Sequence, residues 1–233
     1  MTKDFDKFKE RIFNKNVKKI WDNAPGVKKK FFDFFYQDIQ SYENPQILEF
    51  GVRDGVSTAL FLDICKKNSG NLFSVDNIDY SYQFEDEKWK FIQSKDDNFT
   101  KIDKEIPPQL DVIFLDTIHE ADHVSKIFYY YYNKLRVDGL FIIDDVSWLL
   151  YTKNNIENHF YKEINNHETF KKMLEIYDIN RDKFDIHVNF CDTGAIKIIK
   201  RNLNKLNKPK KIYSRENTLK NFIRKLYIKF KNY

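Results

Sequence analysis

Cysteine is nearly missing: Cys65 and Cys191 are the only two in 233 residues, and neither stands in a CxxC or Cys/His ligand spacing. A disulfide framework and a zinc site are therefore not expected. No apolar run reaches the roughly 20 residues that a bilayer-spanning helix needs. The first residues, MTKDFDKFKERIF, alternate charge with aromatics and lack the apolar core of a signal peptide, so a cytoplasmic protein is expected. Glycine (6) and proline (5) are scarce beside 22 Phe and 14 Tyr. With the heavy use of Lys, Asn and Ile, this is the composition of an AT-rich genome, and it bears on source rather than on activity.

What is present is globular in character, with 42% hydrophobic and 32% charged residues, and enough chain for one full-sized core. The net charge of +5 is unevenly spread. Residues 201–233 hold eleven Lys/Arg and one acid, Glu216, leaving 29 basic and 34 acidic residues, a net charge of −5, in residues 1–200. The basic character belongs to a tail.

The apolar positions Phe5, Phe8, Ile12, Val17, Ile20 and Trp21 roughly follow a helical period, and Phe31, Phe35 and Ile39 repeat it, so two helices are expected within residues 1–44. Strands are read at 46–52, 72–76, 89–93, 111–116 and 140–146, and helices at 57–68, 120–135 and around 167–176. FDIHVNF and AIKIIK flank the turn-forming Cys191-Asp192-Thr193-Gly194, a strand hairpin. Alternation of strands and helices predicts a mostly parallel α/β sheet over residues 45–200.

In such a sheet ligands bind beyond the carboxyl ends of the strands. The loop after the first strand runs Glu49-Phe50-Gly51-Val52-Arg53-Asp54-Gly55-Val56-Ser57-Thr58. Gly51 and Gly55 permit a tight turn and close approach to a ligand, and Asp76, ending the second strand, can accept both hydroxyls of a ribose. The loop lacks the central glycine of GxGxxG. Glu49 would repel a pyrophosphate but suits a cationic aminoacyl group. The alternative is a plain strand-to-helix turn with Asp76 as a loop cap.

A second group lies at the same sheet edge: LDTIH ends the fourth strand and IDDV the fifth, bringing together Asp116, His119, Asp144 and Asp145. Three carboxylates there repel unless a cation, a proton or a basic partner intervenes. Their hard oxygens suit Mg²⁺, Mn²⁺ or Ca²⁺, and His119 can act as a base toward a hydroxyl. His123, four residues on, could share a helix face with His119.

ILEFGVRDGVSTAL resembles motif I of the class I S-adenosylmethionine-dependent methyltransferases, in the variant of macrolide-sugar O-methyltransferases and cephalosporin-hydroxylase-type proteins. The resemblance covers about residues 45 to 200. It implies a Rossmann-like, seven-stranded, mostly parallel sheet with a reversed terminal strand and helices on both faces. It also implies S-adenosylmethionine held by Glu49, Gly51, Gly55 and Ser57, with Asp76 at the ribose and Lys95 or Asp96 near the adenine. Asp116, Asp144 and Asp145 would bind Mg²⁺ or a similar ion, and His119 would be the base. The expected acceptor is a hydroxyl of a sugar, glycan precursor or other small molecule. An RNA- or protein-modifying methyltransferase and a non-catalytic methyltransferase-like binding protein are the alternatives.

In the tail, Leu219, Phe222, Ile223, Leu226, Tyr227 and Phe230 form an apolar stripe with Lys220, Arg224, Lys225 and Lys231 on the polar face, and Ser214 or Asn217 as a cap. Such a helix docks on its own domain or on a second subunit, or lies on an anionic membrane surface. The acidic body and the lack of a recognised motif speak against nucleic acid. Trp148 and Tyr151 are candidates to stack on an acceptor, with core or lid packing the commoner role.

Overall fold

The computed structural model describes residues 2–147 and 160–212, with positions 219, 220, 222, 223, 226 and 227 of the tail. Trp148, Tyr151, Ser214, Asn217 and Phe230 lie outside the described residues. The apolar period of residues 5–21 is split into two helices, α1 (Thr2–Glu10) and α2 (Lys15–Asn23). The break falls at Asn14, whose Oδ1 accepts hydrogen bonds from the N–H groups of Asn16 and Val17 at 3.0 and 3.3 Å and caps α2. Helix α3 follows over residues 25–39 and is π-helical over Lys28–Tyr36. Along this wider coil Lys30, Phe31, Phe32, Phe35 and Tyr36 are all buried.

The sheet strands are β1 (Gln46–Phe50), β2 (Asn71–Asp76), β3 (Trp89–Gln93), β4 (Leu110–Leu115), β5 (Leu135–Asp144), β6 (Phe184–Asn189) and β7 (Ala195–Lys200). Their order is β3-β2-β1-β4-β5-β7-β6, with β1 to β5 parallel and β7 antiparallel to both its neighbours. This is the Rossmann-like sheet with a reversed last strand that the sequence predicts. Helices α4 (Val56–Asn68), α5 (Phe99–Ile102), α6 (Ala121–Tyr131) and α7 (Phe160–Asp178) complete the chain's main elements.

A further difference from the sequence reading lies between α6 and β5. Helix α6 stops at Tyr131, and β5 starts at Leu135, ahead of Asp138-Gly139. Leu110 pairs with Leu135 but Val112 pairs with Leu140, so the intervening residues bulge, with Asp138 at φ 59° and Arg136 hydrogen-bonded to Asp111. The Asp-Gly pair marks that bulge and not a helix stop.

Two apolar cores lie on opposite faces of the sheet. One joins α6 and α7 to β4, β5 and β7 through Phe128, Tyr131, Phe141, Met173 and Ile196. The other joins α1 to α4 to the sheet through an aromatic cluster that includes Phe8, Trp21, Phe32, Phe35, Phe61 and Phe114. Residues 201–212 run back over the first core, where Tyr129 Oη donates to the Asn207 carbonyl at 2.6 Å and Glu175 Oε1 accepts from the Ile212 N–H at 3.2 Å. At the described tail positions Leu219, Phe222, Ile223, Leu226 and Tyr227 are exposed. No helix among the described residues is long and apolar enough to cross a membrane.

Candidate active site

The crossovers leave β1 and β4 in opposite senses along the sheet, and a cleft opens beyond the carboxyl ends of these strands, where α/β sheets place their ligands. Its volume is about 520 Å³, and Gly51, Asp76, Lys95, Asp96, Asp116 and His119 are among its lining residues. These six sequence-predicted residues share the cleft, whereas Gly55, Asp144 and Asp145 are not among its lining residues.

Gly51 sets the cleft's floor. Its N–H donates to the Val75 carbonyl at 2.9 Å, and the Asp116 N–H donates to the Phe50 carbonyl at 2.9 Å, so the ladder β2-β1-β4 continues into the loop. Gly51 takes φ +94°, and a Cβ there would lie 1.9 Å from the Asp116 carbonyl oxygen. Only glycine satisfies both conditions. Asp76 is held at the rim by the N–H groups of Val52 at 2.9 Å and Ile78 at 3.0 Å, one on each oxygen. A carboxylate has about four lone-pair directions, so each oxygen keeps capacity for a ribose hydroxyl.

Asp96 accepts from Thr117 Oγ1 and meets His123 Nε2 at 2.8 Å, tying the loop after β3 to the loop after β4. His123 is therefore a partner of Asp96. His119 precedes the start of α6 at Ala121, so the two histidines do not share a helix face.

Glu49 and Ser57 lie beneath the cleft and do not line it. Glu49 is fully buried and accepts from Ser57 Oγ at 2.6 Å, Thr58 Oγ1 at 2.8 Å and Ser74 Oγ at 2.6 Å, which pins the first turn of α4 to β1 and β2. Burial pushes its carboxyl up from an ordinary 4.5 to about 7, against the pull of those three hydroxyls. Between these values the folded chain holds a proton that the unfolded chain has released, so stability is lost as pH rises through that window. Asp116 and Asp144, also raised, act in the same sense. We expect the melting temperature of Glu49→Gln to fall less than that of the wild type between about pH 5 and about pH 8, measured by thermal denaturation. An equal fall in both would assign the loss to other groups.

The second group forms an alternating row of acids and bases. His119 Nε2 stands 3.6 Å from Asp116 Oδ1 and 3.4 Å from Asp145 Oδ2. Lys30 Nζ, from the π-helical turn of α3, stands 3.1 Å from Asp145 Oδ1 and 2.6 Å from Asp144 Oδ1. Thr193 Oγ1, in the β6–β7 turn, accepts from the same ammonium at 2.5 Å. Successive side chains of a strand point to opposite faces, yet Asp144 and Asp145 reach one ammonium because Asp145 leaves β5 with φ +56°, a left-handed conformation that Asp tolerates.

Lys30 is 4% exposed. Burial opposes its charge, but Asp144 and Asp145 outweigh that penalty and raise its pKa. Burial raises Asp145 too, and Lys30 and His119 reverse this to a net lowering. Asp144 is pushed well up by burial and the Asp116 charge. Asp116 is pushed up to about 7 by the surrounding protein and Asp145, although about a third of its side chain opens on the cleft. Among the described residues no group of three or more His, Cys, Asp or Glu is placed to hold a metal ion.

Lys30 and Thr193 have no counterpart in the sequence reading. Lys30 is the third of three lysines in a charged and aromatic stretch, and nothing in that pattern separates the buried one from half-buried Lys28 and exposed Lys29.

The sheet, with its reversed last strand and flanking helices, has the class I methyltransferase fold. Residues 48–146 match a family described as "Methyltransferase domain". Among solved structures, the chain is similar to MycE, a methyltransferase from the mycinamycin biosynthetic pathway in complex with Mg and SAH, with 18% identity and a TM-score of 0.56. That match covers 76% of this chain and 50% of MycE, so the chain spans about half of MycE's length. A Staphylococcus aureus protein provisionally assigned as a caffeoyl-CoA O-methyltransferase matches with 18% identity and a TM-score of 0.57, over 85% of this chain and 98% of its own. SAH-bound PaMTH1 of Podospora anserina matches with 14% identity and a TM-score of 0.54, over 86% and 87%. At these identities the likeness is one of fold. No curated protein sequence matches the chain.

Proposed function

We propose that the protein transfers a methyl group from S-adenosylmethionine to a hydroxyl of a sugar, a glycan precursor or a related small molecule. The observation that carries this reading is His119 in the same cleft as Gly51 and Asp76, with Nε2 between two carboxylates. The SAH bound in MycE and in PaMTH1 supports the donor, and the complex of MycE with mycinamycin VI supports a small-molecule acceptor.

S-adenosylmethionine, when bound, supplies an electrophilic methyl carbon on a sulfonium. Asp76 would accept the ribose hydroxyls, Gly51 would leave the floor open to the donor, and Lys95 and Asp96, also in the cleft lining, would stand on the adenine side. Both contacts of His119 Nε2 exceed hydrogen-bond length, so that nitrogen is available to an acceptor hydroxyl. Methylation of the acceptor oxygen would release its hydroxyl proton, and His119 would take that proton on Nε2. Asp116 and Asp145 then stabilise the imidazolium.

The divalent cation expected at Asp116, Asp144 and Asp145 enters no step of this reading, because the Lys30 ammonium stands between two of its three donors.

Calorimetric titration with S-adenosylmethionine tests the donor site. Saturable binding that Asp76→Ala weakens by about 10-fold or more, the cost of one or two lost charge-assisted hydrogen bonds, is expected. No binding to the wild type would sink the reading. Detection of S-adenosylhomocysteine release across a panel of sugars and nucleotide sugars then identifies the acceptor.

A further inference from the structure

The row Asp116, His119, Asp145, Lys30, Asp144 alternates carboxylate with nitrogen base along its whole length, and it draws on α3, the loop after β4 and the end of β5. Three features make Lys30 a built part of it. Its side chain is 5% exposed. Its ammonium has three oxygen partners within 3.1 Å: Asp144, Asp145 and Thr193. Its position is set by the π-helical turn, whose neighbours Phe31, Phe32 and Phe35 are locked in the aromatic core.

A Mg²⁺ ion binds oxygens at about 2.0–2.1 Å in near-ideal octahedral geometry. An ion taking Asp144 Oδ1 and Asp145 Oδ1 would compete for the oxygens that already face the ammonium at 2.6 and 3.1 Å, and would meet a like charge there.

We propose that Lys30 is the resident cation of this cluster, a tethered ammonium that holds Asp144 and Asp145 in the place where such a site would otherwise bind a divalent ion. The chain therefore binds no divalent ion at these carboxylates, and Lys30 acts as a positioning residue for Asp145 and, through it, for His119. MycE is solved in complex with Mg, whereas here an ammonium of the chain itself stands among the carboxylates.

The test is a calorimetric titration of the full chain with Mn²⁺, repeated on Lys30→Met and Lys30→Gln, with folding checked by circular dichroism. The wild type is expected to give no saturable heat. Removing the ammonium is expected to tighten Mn²⁺ binding by at least about 10-fold, as the loss of a unit charge a few ångströms away implies. Adding Asp145→Asn to either variant is expected to abolish that gain. Saturable Mn²⁺ binding by the wild type that Asp145→Asn removes would overturn the proposal, and so would a folded Lys30 variant that gains no affinity. These arms read metal binding alone, so their failure is distinct from a failure of the methyl-transfer reading, on which only the last arm rests: turnover of the wild type unchanged after exhaustive treatment with EDTA.

Discussion

His119→Ala is expected to lower kcat by about 10²–10⁴-fold, the usual contribution of a positioned general base, while the Kd for S-adenosylmethionine stays within about 2-fold of the wild type. The split between these two quantities is the informative part. His119 lines the cleft, but it forms neither the Gly51 floor nor the Asp76 rim, so truncating it removes a proton acceptor without opening the donor site. Removing a group that acts only in the transition state lowers kcat and kcat/KM together. The measurement is S-adenosylhomocysteine release under saturating donor, with calorimetry on the same preparation. A loss of kcat below about 10-fold would return His119 to a structural role. A parallel loss of donor affinity would mean that the histidine shapes the floor instead of serving as base.

Gly51→Ala has the largest expected effect on the fold. The added methyl would sit 1.9 Å from a backbone carbonyl, that of Asp116, and no rotamer change can relieve a backbone contact. The φ of +94° adds a conformational penalty for any L side chain. Together these are expected to cost about 3 kcal/mol or more, a large share of the roughly 5–15 kcal/mol that holds a typical domain folded. Gly55→Ala is the comparison. There the nearest atom is Gln83 Oε1 at 2.5 Å, the far end of a flexible side chain, and φ is +74°, so a smaller loss is expected. Chemical denaturation of the two variants gives the order. If Gly55→Ala proved the more costly, the contact between Gly51 and β4 would not be the constraint that the geometry makes it.

Much of this architecture can be read from residue pattern because apolar runs and turn residues act locally. WKFIQ predicts β3 with its observed bounds, and the turn at Cys191 to Gly194 predicts the hairpin that reverses β7. The failures have non-local causes. The break at Asn14 depends on a side chain capping a helix in mid-period, and the early start of β5 depends on a bulge opposite Asp111. At the site, strand ends placed Asp76, Asp116, His119, Asp144 and Asp145 at one sheet edge. Pattern alone could not say that Glu49 faces inward, because strand alternation does not reveal which face a loop and helix will cover. Nor could it find Lys30, which lies 114 residues before Asp144 in the chain and is brought to it by the packing of α3.

The contact between Gly51 and the Asp116 carbonyl has a mechanical meaning. Under the proposed reading, the loop that would receive the donor and the strand end that carries the carboxylate partner of His119 are pressed against each other with no side chain between them. A bound donor that lifted or lowered the loop by a few tenths of an ångström would carry Asp116 with it. Near-attack geometry is sensitive at about the 1 Å scale, so under that reading the spacing between methyl carbon and acceptor oxygen would be set by backbone thickness, a gauge that side-chain motion does not loosen.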